Sequence, residues 1–160
     1  MKMSANIGDD EYQALAEFRY QIRRFLRCSE AAARAAGLEP QQHQLLLAVR
    51  GLPDGSDSTI GNIAERLQIQ HHSTVELVDR LVKRGWIQRR RDGADRRQVM
   101  LQLTPKGEKI LRDLSVHHEE ELRNLGPQLV GALRRMMAAI THPAGKKAPA
   151  RPRPARSQKH

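Results

Sequence analysis

The segment QHHSTVELVDRLVKRGWIQRRRDGADRRQVMLQLT, residues 70–104, gathers the side chains best suited to chemistry with a polyanion. His71, His72, Ser73 and Thr74 open it with hydrogen-bonding groups, and Glu76 and Arg80 follow one turn apart. Arg89, Arg90, Arg91, Arg96 and Arg97 then flank a single Asp92-Gly93 pair. Guanidinium groups suit phosphate through permanent charge and paired N–H donors. The chemistry on offer is recognition. No Gly-rich phosphate loop, GxSxG elbow, Cys/His metal cluster or paired-carboxylate motif occurs in the chain, so an enzyme is not expected.

Three other constellations compete for a role. His117 and Glu121 stand four apart, the spacing of neighbours on one helical face, and His43 lies on an earlier helical stretch. A metal site from the three is the sharp reading; a half-buried histidine packed at an interface between two copies of the chain is the one adopted, with no metal and no cofactor. His71 and His72 are adjacent, and adjacent helical positions diverge by about 100°, which suits a shared metal poorly. Cys28, the single cysteine, excludes an internal disulfide framework. Arg24 and Arg27 nearby favour its thiolate, but a quiet thiol is expected.

The elements that must position these residues follow from local pattern. From Glu11 to Ala36, Tyr12, Leu15, Phe18, Ile22 and Phe25/Leu26 recur at helical spacing until Gly37. A helix of about 25 residues is twice the mean length, and a helix from a second chain is a natural cover for its apolar face. Pro40 opens a second helix carrying Leu45, Leu46, Leu47 and Val49 for the core. LPDGSDS reads as a loop. Thr59 caps a short helix with Ile60, Ile63, Ala64 and Leu67 inward, and a break at residues 68–70 precedes another, with Leu77, Val78, Leu81 and Val82 inward and Gly85 at its end. Two short helices with a tight connection are a helix-turn-helix candidate.

WIQRR and RQVMLQLT then read as strands, with Val99, Leu101 and Leu103 alternating with Met100 and Gln102, and Asp-Gly between such runs signals a hairpin. The hairpin forms a wing beside the second helix. Thr104 caps the next helix with Pro105 at its first position. Gly126-Pro127 is expected to break it before a last helix, QLVGALRRMMAAI. Beyond Thr141 the chain is Pro, Ala, Lys and Arg with nothing to bury.

The charge follows the same map. The 160 residues carry a net +10, of which residues 1–58 hold −1, 59–103 +4, 104–140 +1 and the last twenty +6. That balance points to nucleic acid or an anionic membrane surface. Aromatics are 3%, so the core must be aliphatic. No apolar run approaches about 18 residues, and MKMSANIGDD lacks a signal peptide's apolar stretch. The expectation is a soluble, cytoplasmic protein with no membrane partner.

With order and spacing in place, IAERL, LVDRLVKRGWI, DGADRR and LTPKGE between Gly37 and Lys109 resemble the MarR family of bacterial transcriptional regulators. The flanking helices extend the resemblance over residues 10–140. It implies a mainly α fold with a small β-hairpin, a winged helix-turn-helix lobe flanked by N- and C-terminal dimerisation helices. It further implies a homodimer on a palindromic double-stranded DNA operator, usually as a repressor, with a possible small-molecule effector. Carried onto this chain, His71, His72, Ser73, Thr74 and Glu76 approach bases, with Arg80 one turn on. Ser73 and Thr74 suit phosphates or base edges, and Glu76 suits a cytosine amino group. Arg97 is the wing-tip arginine of the minor groove, Asp95 orients the wing, and Arg90 and Arg96 neutralise phosphates.

Leu15, Phe18, Ile22, Leu129 and Leu133 fall in the implied dimer interface. Two departures stand out: Gln70 where the family commonly has Ser or Asp, and Glu76 where many members have a basic or small residue. Glu76 either reads a base or turns aside from phosphate. The layout expected is a flexible N-terminus over 1–9, dimerisation helices over 10–36 and 105–140, the winged lobe over 39–104 and a disordered basic tail over 141–160. The alternative is an architectural winged-helix protein that binds DNA without sequence preference.

Overall fold

A computed structural model describes residues 7–91 and 98–141. The elements run α1 (Asp9–Ala35), α2 (Pro40–Arg50), α3 (Ile60–Leu67), α4 (His71–Lys83), β1 (Ile87–Arg91), β2 (Val99–Leu103) and α5 (Pro105–Thr141). This is the mainly helical chain with one hairpin that the pattern predicts. The expected roles of Asp95, Arg96 and Arg97, and the tail beyond Thr141, lie outside the described residues.

Most boundaries are set by local chemistry. Asp9, Asp10 and Glu11 fill the first turn of α1, where negative charge meets the positive end of the helix dipole. α1 stops at Gly37, whose φ of 79° is cheap only for glycine. The Gly37 N–H donates to the Arg34 carbonyl and the Leu38 N–H to that of Ala33, both at 2.9 Å, a Schellman closure that drops Leu38 into the core. α4 ends the same way, with Gly85 at φ 71° and the Trp86 N–H on the Leu81 carbonyl at 3.0 Å. Thr59 caps α3, its hydroxyl accepting from the Asn62 N–H at 3.3 Å.

The chain divides into two compact units, one of residues 23–126 and one formed by its two ends, up to Ile22 and from Pro127. The first unit holds the main core: Leu38, Leu45, Leu46, Val49, Ile63, Leu77, Val78, Leu81, Ile87, Leu101, Leu103, Leu111 and Leu114 are buried together. β1 and β2 pair antiparallel with Ile87 opposite Leu103 and Arg89 opposite Leu101. The alternation read from the sequence appears as burial, with Leu101 and Leu103 inside and Gln102 exposed. In the second unit Gln21 and Ala132 are buried, while Tyr12, Leu15, Tyr20, Val130, Leu133, Met137 and Ile140 are exposed.

Two expectations are corrected. α5 does not break at Gly126-Pro127; it runs as one helix with Pro127 inside. Proline removes one backbone donor and crowds the carbonyl four residues back, a cost confined to one turn, and the ladder resumes on either side. Leu47 is 45% exposed and not part of the core. Its neighbours Leu45, Leu46 and Val49 already occupy the inward face of α2, and Leu47 falls on the other. The loop before α3 also does more than connect. Ser58 accepts the Leu101 N–H on its carbonyl at 2.9 Å and donates its hydroxyl to the Leu101 carbonyl at 2.6 Å, and Thr59 bridges Met100. The far strand of the wing is thereby tied to the start of α3.

Candidate nucleic-acid interface

α3 and α4 are joined by Gln68–Gln70. Gln68 takes the left-handed conformation, φ 54°, and its N–H closes α3 on Glu65 O at 3.1 Å. Gln70 then opens α4 from an extended conformation without a side-chain cap. No acid lies in the first turn of α4, so no side-chain charge of that turn offsets the positive end of the helix dipole. His71 and His72 are exposed there, and Ser73 is half-buried.

Thr74 departs from the sequence reading. Its side chain is 0% exposed and its hydroxyl donates to the Gln70 carbonyl at 3.1 Å. It closes the first turn from inside and is not on the exposed face, so it offers nothing to a base edge. Three- and four-residue spacing from the buried Leu77 and Val78 explains this: Thr74 shares their face. Glu76 and Arg80 are both exposed and pair with each other at 3.7 Å. Glu76 therefore has an intrahelical partner in the free protein.

Of the three exposed arginines of β1, Arg89 is ion-paired within the protein. Arg89 lies two residues beyond the buried Ile87, hence on the same face of β1, and its Nη2 meets Asp79 Oδ1 of α4 at 2.6 Å. Arg90 and Arg91 are exposed. The root of the wing is anchored through Trp86, which is buried. Its carbonyl accepts the Thr104 N–H at 3.0 Å, and the Thr104 hydroxyl donates to Gly85 O at 2.6 Å while accepting the Gly107 N–H at 3.1 Å. The Arg84 guanidinium stands 4.9 Å from the centre of the indole, with Lys106 Nζ at 5.9 Å on the same ring.

The residues weighed for a metal are not brought together. His43 is buried and stacks on His118, with ring centres 4.7 Å apart and planes 12° from parallel. His118 in turn shares a 2.8 Å hydrogen bond with the Ser29 hydroxyl. His117 is exposed and its Nδ1 contacts the Asp113 carbonyl oxygen at 3.0 Å. Among the described residues no group of three His, Cys, Asp or Glu is placed to hold a metal ion. Burial first, and the neighbouring His118 second, push the pKa of His43 down from 6.5 to about 4. Cys28 is a free, partly buried thiol. Among the described residues no helix is long and apolar enough to cross a membrane.

Asp79, Ser58 and His118 are the positions that sequence reasoning missed. Asp79 carried a signal, being an acid in the helix that leads into an arginine-rich strand. His118 carried one as well, falling with His117 at the helical spacing of Ile110, Leu111 and Leu114, whereas nothing local distinguished Ser58.

A short helix, a tight left-handed turn, a second helix with an exposed polar start and a hairpin packed at its end make a winged helix-turn-helix. The model of the MarR family matches residues 36–98. The chain is 35% identical over 69 residues to the HTH-type transcriptional regulator YsmB of Bacillus subtilis, covering 43% of this chain and 47% of that one. The chain spans 47%, 66% and 44% of the length of three curated relatives it matches. Among solved structures it is similar to the transcriptional repressor CouR bound to a 23-mer DNA duplex, with a TM-score of 0.57, 30% identity, and coverage of 77% of this chain and 87% of that one. It shares its fold with AbsC, a MarR family regulator from Streptomyces coelicolor, with a TM-score of 0.67, 17% identity and coverage of 85% and 91%. The chain belongs to the MarR family, a family of winged helix-turn-helix regulators and not of enzymes.

Proposed function

We propose that this protein is a sequence-specific, ligand-responsive repressor that acts as a homodimer on a palindromic operator. The observation that carries the reading is the uncapped, acid-free start of α4 with His71 and His72 exposed, followed by a wing strand rich in arginine. In this reading His71, His72 and Ser73 meet base edges or phosphates. Glu76 and Arg80 exchange their mutual pair for contacts to the duplex. Arg90, Arg96 and Arg97 supply charge to the backbone and minor groove, with Asp95 orienting the turn. The CouR structure, a repressor of similar chain held on a DNA duplex, supports the assignment.

A direct test is to let the protein enrich a duplex from a random-sequence pool, then titrate that duplex and a scrambled one at two salt concentrations. A regulator prefers the enriched duplex by about a thousandfold or more. Equal and steeply salt-dependent binding to both overturns the reading in favour of an architectural protein.

The dimer rests on the apolar side chains that the protomer leaves exposed at its two ends, among them Leu15 and Leu133, with Phe18, Ile22 and Leu129 half-buried beside them. Light scattering is expected to give twice the 18.1 kDa chain mass. Replacing Leu15, Phe18 and Ile22 together with glutamate should give monomers and weaken operator binding roughly a hundredfold, because the second half-site loses its effective concentration. A wild-type monomer, or a triple variant that stays dimeric, refutes the interface. For the effector, a cavity of about 230 Å³ lined by Ala32, Ala35, Ala36, Asp113, Leu114 and His117 offers a mostly apolar seat for a small molecule.

A further inference from the structure

The arginines of the wing differ in what they face, and this separates charge that binds DNA from charge that holds the protein in shape. We infer that the Asp79–Arg89 pair is a latch that fixes the wing to the recognition helix, which makes Arg89 a positioning residue and not a phosphate contact. The inference rests on the winged-helix DNA-binding reading for its effect on affinity.

The geometry is specific. Arg89 Nη2 reaches Asp79 Oδ1 at 2.6 Å, the short distance of a charge-assisted bond. It is the one side-chain ion pair or hydrogen bond between α4 and β1 among the described residues. At the root of the hairpin the backbone bond from Trp86 to Leu81 and the burial of Ile87 already hold the strand in place. Beyond Gln88 the rest of β1, residues 89–91, is three exposed arginines. Arg89, on the same strand face as Ile87, carries the attachment two residues further along the wing. A recognition helix and a wing must meet the duplex together, so a wing that pivots must be ordered on binding at a cost in affinity.

Asp79 makes the inference testable, because electrostatics and positioning give opposite signs. As a bare charge near DNA, its carboxylate repels phosphate, and neutralising it should tighten binding. As half of a latch, it is needed for binding.

The experiment uses the full chain, the enriched duplex, and the variants Asp79→Asn, Arg89→Gln, Arg89→Lys and the Asp79→Asn/Arg89→Gln double. Asp79→Asn and Arg89→Gln should each weaken binding about three- to fivefold, in line with a partly exposed ion pair. The double variant should be no weaker than either single one, and Arg89→Lys should retain most of the affinity. The dependence of log K on log salt should keep its slope in Arg89→Gln, whereas loss of a phosphate contact lowers it by about one unit. In the DNA-free protein, amide exchange over residues 87–91 and 99–103 should accelerate in both single variants. Tighter or unchanged binding by Asp79→Asn, additive losses in the double, or unchanged amide exchange each overturn the latch. If the wild type enriches no sequence, the regulator reading fails, and the exchange measurement still decides the latch.

Discussion

Replacing Gly107 with alanine is expected to destabilise the protein by about 3 kcal/mol, at the upper end of what overpacking usually costs. The sign runs against helix propensity. Gly107 sits in the first turn of α5, and alanine in a helix is favoured over glycine by about 1 kcal/mol. What reverses the sign is the backbone of Trp86. A Cβ on Gly107 would overlap the Trp86 carbonyl oxygen and stand only 3.0 Å from its carbonyl carbon. Neither atom is the end of a flexible side chain. Moving that carbonyl breaks its bond from the Thr104 N–H and disturbs the Thr104 hydroxyl on Gly85, so the wing root and the cap of α5 loosen together.

Urea unfolding should give a lower midpoint with an unchanged slope, the mark of lost stability in an otherwise similar transition. Gly61→Ala is the internal control. Gly61 lies in α3, and the nearest atom to its added Cβ is Thr59 Oγ1 at 3.9 Å, an ordinary contact. Here propensity acts alone, and a gain of about 0.5–1 kcal/mol is expected. Equal responses at the two glycines would show that the close approach at Trp86 relaxes without cost.

Gly107 also illustrates which parts of the molecule are legible in the sequence alone. The LTPKG run was legible as a helix start because its signals, a hydroxyl cap and a proline at the first position, act within one turn. The same holds for Gly37, Gly85 and Thr59, and for the alternation of Leu101 and Leu103. In each case the physics is local and a few neighbouring residues carry the whole signal. That Gly107 must be glycine was not legible, because its reason lies in a carbonyl some twenty residues earlier in the chain.

The misreadings share that non-local origin. The chemistry of Pro127 alone predicts a stop, but continuation depends on the turns to either side. Thr74 and Ser73 are adjacent hydroxyls, and only the orientation of α4 on the core decides that one is buried and the other half-exposed. The arginines of β1 read as a single basic block, yet alternation turns Arg89 toward Asp79. At the candidate interface the residue types and their order were legible in advance. Which of them are already engaged within the protein was not.

His43 gives the second large effect, in the pH dependence of folding. The metal reading set aside from the sequence grouped His43 with His117 and Glu121, not with His118. Adjacent helical positions differ by about 100°, and it is His118 that turns inward to stack on His43. At 3% exposure with another imidazole against its face, His43 resists protonation, and its pKa falls from 6.5 to about 4. In the unfolded chain the same side chain takes up its proton near pH 6.5.

Between those values the unfolded state binds more protons than the folded one, so stability rises with pH. Acidification from pH 7 should therefore remove stability progressively from about pH 6.5 down to about pH 4, up to about 3 kcal/mol for a shift of this size. Below that the contribution levels off, since both states are then protonated. His43→Phe keeps a flat ring against His118 and cannot titrate. Chemical unfolding at intervals from pH 7 to pH 4 should give curves for wild type and variant that diverge as the pH falls, with the variant losing less. Parallel curves would mean that the pocket admits the imidazolium, through water or a shift of His118, and that the stacked pair contributes packing without proton linkage.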